Sequence, residues 1–157
     1  MHFSFLVILF ISTGLCSGFW TINSGSSSQK NHAYDIGTKS GLTNLFNSKV
    51  STATRVSRPM NVITPLTGIE HQGVLLGLEN GDSYLVHKGS DYAAPTSGKT
   101  VVVDSKHMPS SFTRGATNNI NGQATVGDYV KAGGANYNVL CSNCIHAADD
   151  MMEVGKN

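Results

Sequence analysis

Tyr137-Asn138-Val139-Leu140-Cys141-Ser142-Asn143-Cys144-Ile145-His146-Ala147-Ala148-Asp149-Asp150-Met151-Met152 is the stretch on which the reading of this chain turns. Tyr137, Val139 and Leu140 are β-formers, whereas Ile145, Ala148 and Met152 recur at helical spacing and Gly155 supplies a stop. The period changes at Asn143-Cys144. Asn143 is a good N-cap, which predicts a helix with Cys144 in its first turn, where unpaired backbone N–H groups and the helix dipole favour a thiolate. That is a nucleophile's environment. A lone cysteine near a helix start is also commonly a buried, inert residue, so its partners decide which reading holds.

Moving outward, two histidines bracket a predicted hairpin: His71 opens the first strand, in Glu70-His71-Gln72-Gly73-Val74-Leu75-Leu76-Gly77, and His87 closes the second, in Tyr84-Leu85-Val86-His87-Lys88-Gly89. A two-residue Asn80-Gly81 turn would set Val74 opposite His87 and send His71 to the other face. A three-residue Glu79-Asn80-Gly81 turn, with the glycine left-handed, sets Gly73 opposite His87 and puts both rings on one face. Gly73 and Gly77 on that face leave room for a helix to pack closely, so the three-residue turn is expected, with the Cys144 helix against the histidine face. Those are the parts of a thiol nucleophile, a base, and a residue that orients the base.

Further strands are expected at Asn61 to Thr64, Ile69 to Leu78, Ser83 to Lys88, and Lys99 to Asp104, the last reading as buried on both faces through Val101-Val102-Val103. Pro65 and Gly68 mark a turn. Residues Ser105 to Gly127 read as a long polar loop anchored by Met108, Phe112 and Ile120, and Val126 to Ala132 as a short helix stopped by Gly133-Gly134. Upstream, residues 19–56 are rich in Ser, Thr, Asn and Gly and read as a poorly ordered arm with a short helix around Leu42 to Phe46; Trp20 and Tyr34 are its aromatic exceptions. The apolar run Phe3 to Ile11 is too short to span a bilayer. With Cys16 and Gly18 behind it, the run reads as a signal peptide over residues 1–18, and a secreted product is expected.

The chain of 157 residues carries a formal net charge of +1, 13% charged residues and 17 glycines. That balance implies neither nucleic acid nor a strongly anionic surface as partner, and it points to one loop-rich α+β domain over residues 57–157. If Cys16 leaves with the signal peptide, Cys141 and Cys144 remain, a CxxC pair able to form a local disulfide in an oxidising compartment.

In their order along the chain, His71-Gln72-Gly73-Val74-Leu75-Leu76-Gly77, then His87, then Tyr137-Asn138-Val139-Leu140 leading to Asn143-Cys144-Ile145-His146, this sequence resembles the circularly permuted NlpC-type papain-like group, especially its lecithin:retinol acyltransferase-like branch. The resemblance covers roughly Met60 to Glu153. It implies a small antiparallel sheet packed on a helix with the cysteine at its N-terminus, Cys144 as nucleophile, His71 as base and His87 as the orienting third member. The implied activity is that of a thiol hydrolase (amidase or peptidase) or an acyltransferase working through a thioester. Ile145 and Ala147 depart from the branch, which usually has Glu and an aromatic there, and this bears on the substrate more than on the thiol chemistry.

His146 points to another helix face from Cys144 and is expected to bond a nearby carbonyl; His107 and His32 read as solvated. Asp149, Asp150 and Glu153 read as an exposed acidic face. A zinc site from Cys141, Cys144, His146 and one more histidine lacks a second CxxC-like half, and no cofactor or metal is expected. The expected partner is an amide-, peptide- or ester-containing substrate. The competing reading is a secreted binding module of the same fold without turnover, with Cys141 and Cys144 paired.

Overall fold

The computed structural model describes residues 36–60, 70–89, 99–135 and 143–156. In chain order these form α1 (Lys39–Asn47), β1 (Val50–Pro59), β2 (Glu70–Leu78), β3 (Ser83–Lys88), β4 (Thr100–Asp104), a 3-10 turn (Ser105–His107), β5 (Thr113–Asn119), α2 (Val126–Gly133) and α3 (Cys144–Glu153). The five strands make one antiparallel sheet in the order β4-β3-β2-β1-β5. This is an α+β architecture with β2 at the centre of a small open sheet.

The β2–β3 register is the one expected from a three-residue turn. Gly77 pairs with Ser83 and Gly73 with His87, and Gly81 takes φ +92, a conformation glycine adopts at no steric cost. Gly73 is required there for a second reason. A Cβ at that position would lie 2.9 Å from the His87 Cβ and 2.9 Å from the Val86 carbonyl oxygen, so only glycine lets the two strands close beneath the histidines.

Alternation along β2 then divides the sheet into two unlike faces. Val74, Leu76 and Leu78, with Ala53 and Val86 from neighbouring strands, form one apolar layer with Tyr129 of α2 and with Ala147, Met151 and Met152 of α3. On the other face Val56, Leu75, Leu85 and Val103 pack with Phe112, and Val101 and Met108 lean against them. Directly paired residues share a face, so His71, Gly73 and His87 belong to this second layer with Leu75 and Leu85. The helix that starts at Cys144 therefore packs on the face opposite the histidines, not against them as the sequence leads one to expect. A helix with a wide apolar stripe needs a continuous apolar surface, and Val74, Leu76 and Leu78 supply it, whereas the histidine face is interrupted by Gly73 and Gly77. That stripe runs Cys144, Ala147, Ala148, Met151, Met152, all buried. Ile145, which the sequence places on it, is turned out to solvent, because taking Cys144 inward aligns five apolar positions rather than three.

The histidine face is covered instead by chain running from β4 to β5. After Asp104 the 3-10 turn leads across the sheet through Met108 and Phe112 before β5 joins the far side of β1. The stretch read as one long polar loop thus contains a strand. β5 was hidden because its residues are almost all exposed, so Thr113–Asn119 shows no hydrophobic alternation.

Two further expectations are corrected. The folded unit begins well before residue 57: α1 contains the short helix expected around Leu42 to Phe46, but the stretch read as arm continues into β1, an interior strand whose Val50, Ala53 and Val56 are wholly buried. Its burial recurs every third residue rather than every second, a pattern that read as polar coil. β4 is an edge strand, only Val103 of which is buried, and not a strand covered on both faces. The expected strand at Asn61 to Thr64, the turn at Pro65 to Gly68, the extended run Tyr137 to Leu140, Cys141, Trp20, Tyr34, His32 and the signal segment lie outside the described residues. Among the described residues no helix is long and apolar enough to cross a membrane.

Candidate active site

His71 and His87 reach each other through the register just described. Both are buried, and His71 Nε2 lies 3.1 Å from His87 Nδ1 with the ring planes 82° apart. One proton serves that contact, so the two tautomers are tied together: when His71 Nε2–H donates, His71 Nδ1 carries the lone pair that can take a proton. In that tautomer His87 Nδ1 is the acceptor, and the contact holds the ring of His71 in place.

Three residues that the sequence reading did not assign to the site complete this corner. Phe112 stands edge-on to His71 with centroids 6.2 Å apart. Arg58, paired directly with His71 across β1 and β2, holds its guanidinium carbon 5.6 Å from the centre of the Phe112 ring. Gly89 lies along the edge of His71: a Cβ there would be 3.3 Å from Cε1 and 3.9 Å from Nδ1. Gly89 was legible in principle, because pairing Gly73 with His87 brings residue 89 opposite residue 71 two places along. Phe112 and Arg58 were not, since both depend on strand pairings that the sequence left unassigned.

Cys144 opens α3 as expected. Asn143 is the N-cap, its side-chain carbonyl accepting from the N–H groups of Ile145 at 2.9 Å and His146 at 3.1 Å. The cysteine is buried and carries a free thiol. Its S–H donates to the carbonyl of Glu70 at 3.8 Å, the residue immediately before His71. The described residues thus bring the two imidazoles together and bring the thiol to the start of the same strand. No hydrogen bond joins the thiol to either imidazole among the described residues.

The remaining candidates settle into structural roles. His146 is exposed and its Nδ1 lies 3.0 Å from the Asn143 side-chain oxygen, a carbonyl close by as anticipated. Asp149 pairs with Arg55, which also donates to Gln72 at 3.0 Å and so ties α3 to the sheet. Lys88, beside His87 but on the helix side, is buried and donates to the Gly133 carbonyl at 2.8 Å, at the C-terminus of α2. Burial pushes its ammonium below the ordinary lysine range, with Asp150 partly opposing the shift. A surface depression of about 410 Å³ lies along β5, between Thr117 and Lys156, and includes none of Cys144, His71 and His87. Among the described residues no group of three or more His, Cys, Asp or Glu side chains is placed to hold a metal.

No protein-family model matches the chain, and neither a curated protein nor a solved structure is similar to it.

Proposed function

We propose that this chain is a secreted, papain-like cysteine enzyme of permuted order that cleaves or transfers acyl groups through a thioester. The observation that carries the proposal is the buried contact between His71 Nε2 and His87 Nδ1, since it orients a base one residue from the carbonyl to which the Cys144 thiol donates. In the first step the thiol gives its proton to His71 Nδ1 and the sulfur attacks the carbonyl carbon of an amide or ester. The C–S bond forms, the carbonyl oxygen takes up the charge, and the Cys144 backbone N–H would donate to it. Collapse breaks the bond to the amine or alcohol, which leaves with the proton from His71. Water, in a hydrolase, or another hydroxyl or amine, in a transferase, then gives a proton to His71 as its oxygen or nitrogen bonds to the acyl carbon; the C–S bond breaks and the departing sulfur takes that proton back from His71, which restores the thiol. The thiol and His71 are not hydrogen-bonded in the structure, so the proton transfer between them requires substrate binding to draw the two together.

A second reading has its own support. The imidazoles face away from α3 and the thiol's partner is a carbonyl, which suits a binding module that keeps the fold without turnover. Iodoacetamide labelling of Cys144 at neutral pH, in a Cys141→Ser background, separates the two. The enzyme reading expects labelling at least about tenfold slower in His71→Ala and measurably slower in His87→Ala. Equal rates in all three proteins would leave the binding module as the better account.

A further inference from the structure

We infer that His146 is a positioning residue for Cys144, acting through the side chain of Asn143; the inference rests on the reading of Cys144 as the nucleophile. Three groups converge on one oxygen. Asn143 Oδ1 accepts from the backbone N–H of Ile145 at 2.9 Å and of His146 at 3.1 Å, and His146 Nδ1 lies 3.0 Å from it. A carboxamide oxygen cannot donate, so the third contact is a hydrogen bond only when His146 carries a proton on Nδ1. Turning the carboxamide over would set an NH2 group against two backbone N–H donors, which fixes the oxygen as the inward atom.

The geometry resembles a capping box in which the third helical residue reaches back to the cap, except that the imidazole grips the side-chain oxygen of the cap rather than its backbone N–H. The difference matters for the neighbouring cysteine. Asn143 Oδ1 takes up the N–H groups of the second and third helical residues and leaves that of the first, Cys144 itself, outside the cap. This is the N–H that would face the developing oxyanion, and the thiol springs from the same Cα. His146 clamps the carboxamide from the solvent side, limiting its rotation and so the rotation of the first turn that carries both groups. An exposed histidine two residues from a buried cysteine thereby gains a role that no direct contact between them supplies.

The test compares His146→Ala, His146→Asn and His146→Gln in the full chain with Cys141→Ser. Asparagine can place an N–H near the position of Nδ1; glutamine's lies farther out, toward Nε2. Long-range 1H–15N correlation on the parent protein is expected to show neutral His146 protonated on Nδ1. Iodoacetamide labelling of Cys144 is expected to slow about fivefold in the alanine and glutamine variants and to recover in the asparagine variant, with all melting curves alike. An Nε2–H tautomer, or alanine and asparagine variants that label at one rate, overturns the assignment. His71→Ala run alongside reports on the catalytic reading separately: a His146 effect without a His71 effect upholds the positioning role and removes the activated pair.

Discussion

At the scale of single residues, the site depends on what is absent from Gly73 as much as on what His71 and His87 provide. A methyl at residue 73 meets a backbone carbonyl and the root of His87, neither of which can move without shifting β3. Gly73→Ala is therefore expected to cost about 1–3 kcal/mol and to separate the two imidazoles. Gly81→Ala is its control. Nothing lies within 4 Å of a Cβ there, so the left-handed φ of the turn is the source of its cost, about 1 kcal/mol. Urea denaturation measures both, and a Gly73→Ala protein as stable as Gly81→Ala would show that the strands have slack beneath His87. These two glycines were legible because each answers a question put by register: which turn, and which residue opposite the histidine. Arg58 and Phe112 were not, because nothing local marks a residue that meets His71 only through a chain pairing or crossing far away in sequence.

Among the elements, those with a cap or a strong apolar period were found from the sequence and those without were lost. α2 was foreseen from its glycine stop. Its start is fixed by a capping box in which the Thr125 N–H and hydroxyl both donate to Asp128, at 2.9 Å and 2.8 Å, while the Thr125 hydroxyl accepts from the Asp128 N–H. These hydrogen bonds, the backbone one first, hold the Asp128 carboxyl below its usual range. Both α2 and α3 pack on the same face of the sheet, yet only α3 carries the thiol. Thr125→Ala is expected to lower stability by about 1 kcal/mol and leave Cys144 labelling at the parent rate. Slower labelling would mean that the two helices move as one body. β1 and β5 escaped notice for opposite reasons, β1 because Val50, Ala53 and Val56 are buried every third residue and β5 because almost nothing on it is buried. A single sequence shows the period of burial, not the pairing that creates a strand without one.

For the molecule as a whole, two buried titratable groups near the helices give stability an alkaline signature. Tyr129 is fully buried and its hydroxyl donates to the Val154 carbonyl at 3.2 Å. Burial, with a smaller contribution from Asp128, pushes its phenol up to about 12. The folded chain keeps that proton after the unfolded chain has lost it, so the stability is fully present below about pH 10 and is lost as pH rises from about 10 to 12. Lys88 works in the other direction. Its folded-state value lies below the ordinary one, so the penalty on its buried charge eases, and stability rises, as pH climbs through that lowered value toward about 10.5. Urea titrations from about pH 9 to 11 should show the parent losing about 1 kcal/mol at the top of the range relative to Tyr129→Phe. Parallel curves would place the alkaline sensitivity elsewhere. The chain's path adds a consequence of another kind. Phe112, whose ring meets His71, and Thr113, which pairs with Ser57, are consecutive residues. The fifth strand can reach its place beside β1 only by drawing that crossing segment over the imidazoles. Roofing the histidines and finishing the sheet are a single latch, so a half-assembled molecule, however helical, leaves its imidazole pair open to water.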